Sequence, residues 1–217
     1  MALRLEVYRS TSNAMGDRSI IETPVVPMRA VTEQDIRLDA TAGDVAPLQR
    51  IAESLKRGRL EETLLAIHQR LKSICVPDSQ AFWNSPLRGR RTSTDMLSPE
   101  TAWGCSAHVQ VACHLARACA IPAILVKTLS VRWIQHENRG DGRGNGHVYV
   151  EVLAHGKPCL WDWQGGRLHA DYNGKTEVVE GRRIYQKGDP EELILSHHGL
   201  EWKAETTRLF PQAGRGW

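Results

Sequence analysis

Two stretches of the chain carry side chains that together could perform nucleophilic chemistry. The first, WGCSAHVQVACHLARACAIPAILV (103–126), places Cys105 directly after Gly104, where the pattern predicts that a helix begins. A thiol in the first turn of a helix lies near the positive end of the helix dipole. That position favours the thiolate, which is the nucleophilic form of cysteine. A nucleophilic cysteine also needs a base, and a third group must orient that base.

The second stretch, GHVYVEVLAHGKPCLWDWQ (146–164), supplies a base and a carboxylate. Apolar and polar residues alternate in it, which predicts strands 147–153 and 159–164, joined by a turn at His155-Gly156. With a two- or four-residue loop, each odd-numbered residue pairs with an even-numbered one. His147 and Asp162 would then share a face, either opposite or diagonal, with Cβ atoms about 4.5 to 8 Å apart. A three-residue loop or a bulge would separate them.

If the two side chains share a face, Asp162 can hold the imidazole of His147 in one tautomer. The other ring nitrogen of His147 is then available to face Cys105. The sequence therefore predicts a thiol, an imidazole and a carboxylate in one constellation.

The residues around these groups show a family resemblance. The segments TSTDMLSPETAWGCSAHVQVACHLARACAIPAILVKT and GHVYVEVLAHGKPCLWDW, within residues 92 to 164, resemble the core of the transglutaminase-like superfamily of papain-fold cysteine enzymes. The resemblance implies that Cys105 is the nucleophile, His147 the base and Asp162 the residue that orients the base. Two positions depart from the family pattern: Ala120 stands where glycine is usual, and Tyr149 where tryptophan is common.

The wider pattern predicts an α+β fold, with N-terminal helices packed on an antiparallel β-sheet. The resemblance implies that this is a papain-like, or transglutaminase-like, core. The segment with Cys105 in its first turn predicts an amphipathic helix that Ile121-Pro122 ends, with Gln110 and Arg117 off its apolar stripe. The stripe consists of Val109, Ala112, Cys113, Ala116 and Ala120. Two further helices are predicted by the apolar residues Leu48, Ile51, Ala52 and Leu55, and by Leu60, Leu64, Leu65, Ile67, His68 and Leu71. We expect both to pack on the helix that begins near Cys105, with His68 as a hydrogen-bonded histidine at the edge of the core.

Strand and turn signals continue after Asp162. Asn173-Gly174 predicts a hairpin between strands 167–172 and 176–179, and residues 182–186 predict a further strand. Asp189-Pro190 predicts the start of a helix. Residues 19–26 are compatible with an edge strand. We predict an N-terminal extension without an assigned role (1–46), a transglutaminase-like catalytic domain (47–205) and a C-terminal tail (206–217).

Composition narrows the class of protein. The chain has 217 residues, of which 41% are hydrophobic and 24% charged, and its net charge of +3 is too small to indicate a nucleic-acid partner. We find no apolar run long enough for a membrane span, and Arg4 and Glu6 interrupt any secretory signal. Five cysteines, an odd number, favour reduced thiols and a cytoplasmic location. Export without a cleaved signal stays open.

An oxyanion hole needs a donor beside the backbone N–H of the nucleophile. The resemblance implies a side chain upstream of Cys105 for this role. The candidates are Gln80 and Trp83 in the long loop 76–100, and Trp103, which follows that loop, is a weaker one.

A zinc site is an alternative use of the same segment, because Cys105, His108, Cys113 and His114 are clustered. Cys113 lies on the apolar stripe, however, and the chain has no Cys-x-x-Cys pair, so we expect no metal. The cysteines other than Cys105 are interpreted as small buried hydrophobic residues: Cys75, Cys113, Cys119 and Cys159.

The sequence thus predicts a cysteine-dependent acyl-transfer enzyme that acts on amide bonds of a protein or peptide substrate, without a cofactor. Hydrolysis, as by a peptidase, amidase or deamidase, is favoured because water is always available as acceptor. Two alternatives stay open. One is a protein-glutamine transglutaminase with an amine acceptor, and the other is a binding module that keeps the fold without turnover.

Overall fold

The described part of the chain folds into helices packed on one sheet. A computed structural model describes residues 6–8, 28–74, 92–97, 105–134, 146–169 and 171–194. Within these ranges the helices are α1 (Val45–Leu55), α2 (Leu60–Ile74), α3 (Cys105–Ala118), α4 (Val131–Ile134) and α5 (Pro190–Ile194). Short 3₁₀ turns lie at Ala40–Ala42 and Asp95–Leu97.

The described residues form a seven-stranded sheet in the order β1-β5-β4-β3-β2-β7-β6. The strands are β1 (Glu6–Tyr8), β2 (Ala123–Ser130), β3 (Gly146–Ala154), β4 (Lys157–Asp162), β5 (Arg167–His169), β6 (Val178–Val179) and β7 (Arg182–Gly188). Neighbouring strands are antiparallel except β1 and β5, which are parallel. The predicted α+β class, with an antiparallel sheet and a helical half, is confirmed.

The core lies between the helices and one face of the sheet. Helices α1 and α2 both pack on α3, as predicted, and α3 packs on β2 and β3. The predicted apolar faces are buried, since Leu48 and Ala52 of α1 and Leu64 and Ile67 of α2 belong to one hydrophobic cluster with α3. Burial of these faces supplies the main driving force for the packing.

Gln110 and Arg117, which are predicted to lie off the apolar stripe of α3, are nevertheless buried. Gln110 is 1% exposed and Arg117 is 4% exposed. Gln110 donates to the carbonyl of Thr41, and Arg117 donates to the carbonyls of Arg37 and Ala123 at 2.7 and 2.8 Å. Carbonyl acceptors from distant segments therefore let polar side chains enter the core, a pairing that helical periodicity does not reveal.

Helix α3 ends earlier than its apolar pattern indicated. Ala120, counted on the predicted stripe, lies beyond the helix with φ 63° and is exposed. The N–H groups of Ala120 and Ile121 donate to the carbonyls of Arg117 and Ala116, as in a Schellman ending. This left-handed position favours glycine, so alanine carries a local strain there.

The hairpin of β3 and β4 follows the predicted geometry. Ala154 pairs with Lys157, which leaves His155-Gly156 as a two-residue turn with φ 51° and 74°. Two positive φ angles are typical of a type I′ turn, whose twist matches that of the flanking strands. The predicted odd–even pairing is therefore the register that forms.

The hairpin predicted at Asn173-Gly174 is wrong. Strand β5 pairs with β1 and β4, whereas β6 pairs with β7 at the other end of the sheet. The segment between β5 and β6 crosses the sheet face away from α3. Tyr172 donates to Glu151 and Gly174 accepts from Lys187, so side chains of the sheet hold the crossing in place.

Residues 28–46 pack on the domain that follows them. The backbone N–H of Val31 donates to Glu151 of β3 at 2.8 Å, and Asp39 lies against His114 of α3. The edge strand predicted at residues 19–26 lies outside the described residues. Within the described ranges, none of the helices has the length and apolar character that crossing a bilayer requires.

Candidate active site

His147 and Asp162 meet at one end of the sheet. Nε2 of His147 lies 3.3 Å from Oδ1 of Asp162. The register pairs Val150 with Trp161, so the two residues are diagonal neighbours on one face, the second of the two predicted arrangements. Their side chains are 16% and 12% exposed, which leaves the pair near solvent but partly shielded from it.

The turn after β4 holds the carboxylate of Asp162. The backbone N–H of Gln164 donates to Oδ1 at 3.1 Å. Burial alone would raise the pKa of Asp162, but hydrogen bonds from His147 and from the N–H groups of Gly165 and Gln164 outweigh it, so this pKa is lowered. Asp162 is therefore ionised at neutral pH.

Gly165 is a supporting residue that sequence reasoning missed. A Cβ at this position would lie 2.4 Å from Oδ2 of Asp162, so only glycine leaves room for the carboxylate in its present place. The run Trp163-Gln164-Gly165-Gly166 directly after Asp162 was the available signal. Two adjacent glycines after a candidate catalytic carboxylate indicate close approach of the backbone.

Helix α3 begins at the same end of the sheet. The ring of His108, in its first turn, stacks on Trp163 with centroids 5.2 Å apart, and Trp163 Nε1 donates to the carbonyl of Val148 at 3.1 Å. Trp163 and Val148 adjoin Asp162 and His147 in the chain. Cys105 precedes His108 by three residues, about 4.5 Å along the helix axis. The backbone of Cys105 thus starts α3 beside the end of β3 and β4 that carries His147 and Asp162.

Helix α2 supports the same corner. Nδ1 of His68 donates to the carbonyl of Trp163 at 2.6 Å, and the side chain is 8% exposed. The predicted role of His68 as a hydrogen-bonded histidine at the core edge is confirmed. Trp163 is thereby fixed by α2, α3 and β3 together.

His147 and Asp162 lie at the rim of the sheet, on the face that turns away from α3. Alternation along β3 places Val148, Val150 and Val152 in the core with α3, while Tyr149 belongs to the cluster on the other face. His147 is the second residue of β3 and Asp162 the last residue of β4. A group at the start of α3 would approach the pair around the ends of the strands.

The remaining site predictions fall outside the described part of the chain. Gln80, Trp83 and Trp103 belong to residues that are not described, and so does the side chain of Cys105. The structure therefore places the His147–Asp162 pair and the start of α3, and it leaves the proposed oxyanion donors as predictions.

Three other cysteines occupy sites that suppress thiolate chemistry. Cys113, Cys119 and Cys159 are buried and form no disulfide. Burial raises the pKa of Cys113 to about 12 and that of Cys119 to about 11, and it also raises the pKa of Cys159. Their predicted role as small buried hydrophobic residues is confirmed, whereas Cys75 lies outside the described residues.

The described members of the predicted zinc alternative make separate contacts. His108 stacks on Trp163, and His114 faces Ser93 and Asp39. The two histidines therefore serve packing and polar contacts in different parts of the structure.

A second Ser, His and Asp set is buried on the far side of α3. Oγ of Ser93 lies 2.7 Å from Nδ1 of His114, whose Nε2 lies 3.2 Å from Oδ1 of Asp39. Ser93 and His114 are both 0% exposed, so a substrate cannot reach them. The set ties residues 39 and 93 to α3 and is structural.

This cluster predicts a specific acid response. Burial would raise the pKa of Asp39, but His114 and hydrogen bonds from Thr41 lower it to about 2. A lowered carboxylate pKa stabilises the fold above the unfolded value of about 3.9, and this contribution is lost as pH falls through the folded value. We expect the stability gap between the native chain and Asp39→Asn to narrow as pH falls from about 4 to about 2.

Urea unfolding at a series of pH values measures this gap. Asp171→Asn, at an exposed position, is the control and should show no such narrowing. A gap for Asp39→Asn that stays constant over this range would contradict the role of Asp39.

Comparison with known proteins bears on the fold. No protein-family model and no curated protein matches the chain. The crystal structure of a proposed cysteine protease from Cytophaga hutchinsonii is similar, with a TM-score of 0.54 and 16% sequence identity over 78% of this chain and 51% of that one. The chain thus spans about half the length of that protein. At this identity the likeness concerns the fold, and this chain shares the α+β arrangement of that structure.

Proposed function

We propose that the protein is a cysteine-dependent hydrolase that cleaves amide bonds in protein or peptide substrates through Cys105, His147 and Asp162. The observation that carries the proposal is the 3.3 Å contact of His147 with Asp162 at the end of the sheet where α3 begins with Cys105. The fold likeness to a proposed cysteine protease agrees with it. The sequence resemblance assigns the core, more finely, to the transglutaminase-like group.

The three residues have distinct roles. Nε2 of His147 faces Asp162, which leaves Nδ1 to take the thiol proton of Cys105. The ionised Asp162 stabilises the imidazolium that results, and it fixes the tautomer. Cys105 stands at the N-terminus of α3, where the helix dipole favours the thiolate.

In the first half of the reaction, Sγ of Cys105 attacks the amide carbonyl and forms a tetrahedral oxyanion. The backbone N–H of Cys105 stabilises this oxyanion together with an upstream donor, for which Gln80 and Trp83 are the candidates. The intermediate collapses as the C–N bond breaks, and His147 gives its proton to the leaving amine. A thioester on Cys105 remains.

In the second half, water attacks the thioester while Nδ1 of His147 takes a proton from it. The C–S bond then breaks, the carboxylic acid leaves, and the proton returns to the thiol. An amine in place of water would give transamidation by the same steps. Hydrolysis is the proposed outcome because water is always present.

Alkylation of cysteines by iodoacetamide at mildly acidic pH, mapped by peptide mass, tests the proposal. We expect Cys105 to react at least about tenfold faster than the other four cysteines, because only a paired thiolate persists at that pH. The contrast should be large since burial raises the pKa of Cys113, Cys119 and Cys159. The fast reaction should be lost in His147→Ala.

His155→Asn is the matched control for that variant. His155 is 80% exposed at the β3–β4 turn, and asparagine tolerates its positive φ. This control should leave the Cys105 rate unchanged. A native Cys105 that reacts no faster than the other cysteines would refute the proposal.

A second assay separates hydrolysis from transamidation. Glutamine-containing peptides are incubated with the native protein and a primary-amine probe, and the products are followed by mass. Release of acid or ammonia without probe incorporation supports hydrolysis. Incorporation of the probe, lost in Cys105→Ala, would replace the hydrolytic proposal with transamidation.

A further inference from the structure

The ring of Tyr149 lies beside the imidazole of His147. The two rings are perpendicular, with centroids 4.5 Å apart, and Tyr149 is 1% exposed. Its hydroxyl donates to Oε2 of Glu180 at 3.2 Å. Tyr149 is therefore held by packing along its ring and by a carboxylate at its far end.

Glu180 reaches this position from a strained turn. Val179 pairs with Arg182, so Glu180-Gly181 forms the two-residue turn between β6 and β7, with φ 49° and 69°. Positive φ at a glutamate costs about 1 to 2 kcal/mol, and such turns prefer asparagine or glycine. A costly residue at such a point suggests that its side chain has a use.

The carboxylate of Glu180 bridges separate strands. Besides Tyr149 on β3, it lies 3.5 Å from the guanidinium of Arg167 and 3.9 Å from Nε2 of His169, both on β5. The β6–β7 turn thus closes over the sheet face that carries His147 and Asp162. These contacts fix the place of the Glu180 carboxylate.

His147 needs a second contact to fix its orientation. Its 3.3 Å contact with Asp162 restrains one ring nitrogen, but the plane of the imidazole also depends on rotation about the Cβ–Cγ bond, which is broadly allowed for histidine. A perpendicular ring packed against the imidazole removes that freedom. The direction of Nδ1 is then set by Asp162 and Tyr149 together.

We propose that Tyr149 and Glu180 are positioning residues for His147. Glu180 holds the ring of Tyr149, and that ring sets the plane of the imidazole so that Nδ1 is directed towards the start of α3. The inference rests on the proposed function of His147 as the base, and it adds two residues to that site.

Three variants distinguish an effect on the orientation of His147 from a general loss of folding stability. Tyr149→Leu removes the ring, and Tyr149→Phe keeps the ring but loses its contact with Glu180. In Glu180→Asn the new side chain is too short to reach Tyr149, and asparagine relieves the strain of the turn because it tolerates a positive φ. Glu177→Gln is the control, because Glu177 is 62% exposed and lies near Arg183 of β7.

The ¹⁵N chemical shifts of the His147 ring report its tautomer, and iodoacetamide reports the reactivity of Cys105. In the native protein we expect one tautomer, with the proton on Nε2. Tyr149→Leu and Glu180→Asn should give a mixture of tautomers and lower the Cys105 rate by about tenfold, with Tyr149→Phe intermediate. Glu180→Asn should do so without a loss of melting temperature, whereas Glu177→Gln should match the native protein.

The proposal is overturned if Glu180→Asn keeps the native His147 shifts and the native Cys105 rate. That variant retains the ring and the turn, so it decides the question even if Tyr149→Leu does not fold. Failure of the proposed function gives a different result. Native Cys105 would then react slowly, while the His147 shifts of the variants would still show whether Tyr149 and Glu180 orient the ring.

Discussion

Alanine in place of Glu151 is expected to lower the free energy of unfolding by about 3 to 5 kcal/mol, because it leaves a buried charge without its partner. Glu151 and Lys187 are both 0% exposed along their side chains, with Nζ 2.8 Å from Oε2. Val31 and Tyr172 also donate to Glu151, and both donors lose their acceptor in the variant. Glu151 therefore contacts both the 28–46 segment, through Val31, and the β5–β6 crossing, through Tyr172.

Urea unfolding and thermal melting measure this effect. For a chain of this size the loss corresponds to a fall in melting temperature of roughly 6 to 20 °C. Glu177→Ala is the matched control, because it removes a glutamate that is 62% exposed and lies 3.8 Å from Arg183. Its cost should be less than about 1 kcal/mol. If both variants lose the same free energy of unfolding, the burial of Glu151 is not what makes it important for stability.

The pair can also be replaced as a unit. Glu151→Leu combined with Lys187→Met removes both charges, so no uncompensated charge stays in the core. We expect the double variant to be more stable than Glu151→Ala. It should still be less stable than the native chain, because Val31 and Tyr172 keep unpaired donors.

Alanine in place of Gly165 is expected to reduce the alkylation rate of Cys105 by at least about tenfold while changing stability little. The new Cβ would lie 2.4 Å from Oδ2 of Asp162, and the end of that side chain can move aside. Its movement breaks the contact with His147 without disturbing the core. The backbone of Gly165 does not need glycine, since its φ is not among the positive values.

Gly58→Ala is the matched control for this variant. A Cβ at Gly58 meets no heavy atom within 4 Å, and its φ is also not positive. It should leave both the melting temperature and the Cys105 rate unchanged. If Gly165→Ala keeps the native rate and the native ¹⁵N shifts of His147, then Asp162 does not depend on the turn for its place.

Local sequence patterns correctly predicted those parts of the fold that depend on residues close together in the chain. The register of β3 and β4 follows from the His155-Gly156 turn, and α1 and α2 follow from their apolar faces. The same rule failed at Asn173-Gly174, because turn preference does not specify which strands pair. In the crossing that forms instead, Tyr172 donates to Glu151 and Lys187 donates to the carbonyl of Gly174, contacts that turn preference does not predict.

The candidate site likewise contains some residues that the sequence predicted and others that it did not. Cys105, His147 and Asp162 stand out in the sequence because chemistry requires their residue types, and the His147–Asp162 contact followed from hairpin parity. Glu180 lies 31 residues beyond Tyr149, and no local pattern connects them. The burial of Gln110 and Arg117 was not predicted for the same reason, since their acceptors Thr41 and Arg37 lie far along the chain.

Successive residues of β3 point to opposite faces of the sheet, and the two faces have different roles. Even-numbered residues from Val148 to Val152 contact the helical core, while odd-numbered residues carry His147, Tyr149 and Glu151 on the other face. Substitutions at odd positions can therefore alter the chemistry of the site while the helical packing is retained. Deletion of a single residue between Val148 and Val152 would shift His147 along the strand and move it, with the other strand residues before the deletion, to the opposite face of the sheet. We infer that this strand can diversify by substitution but not by changes in length.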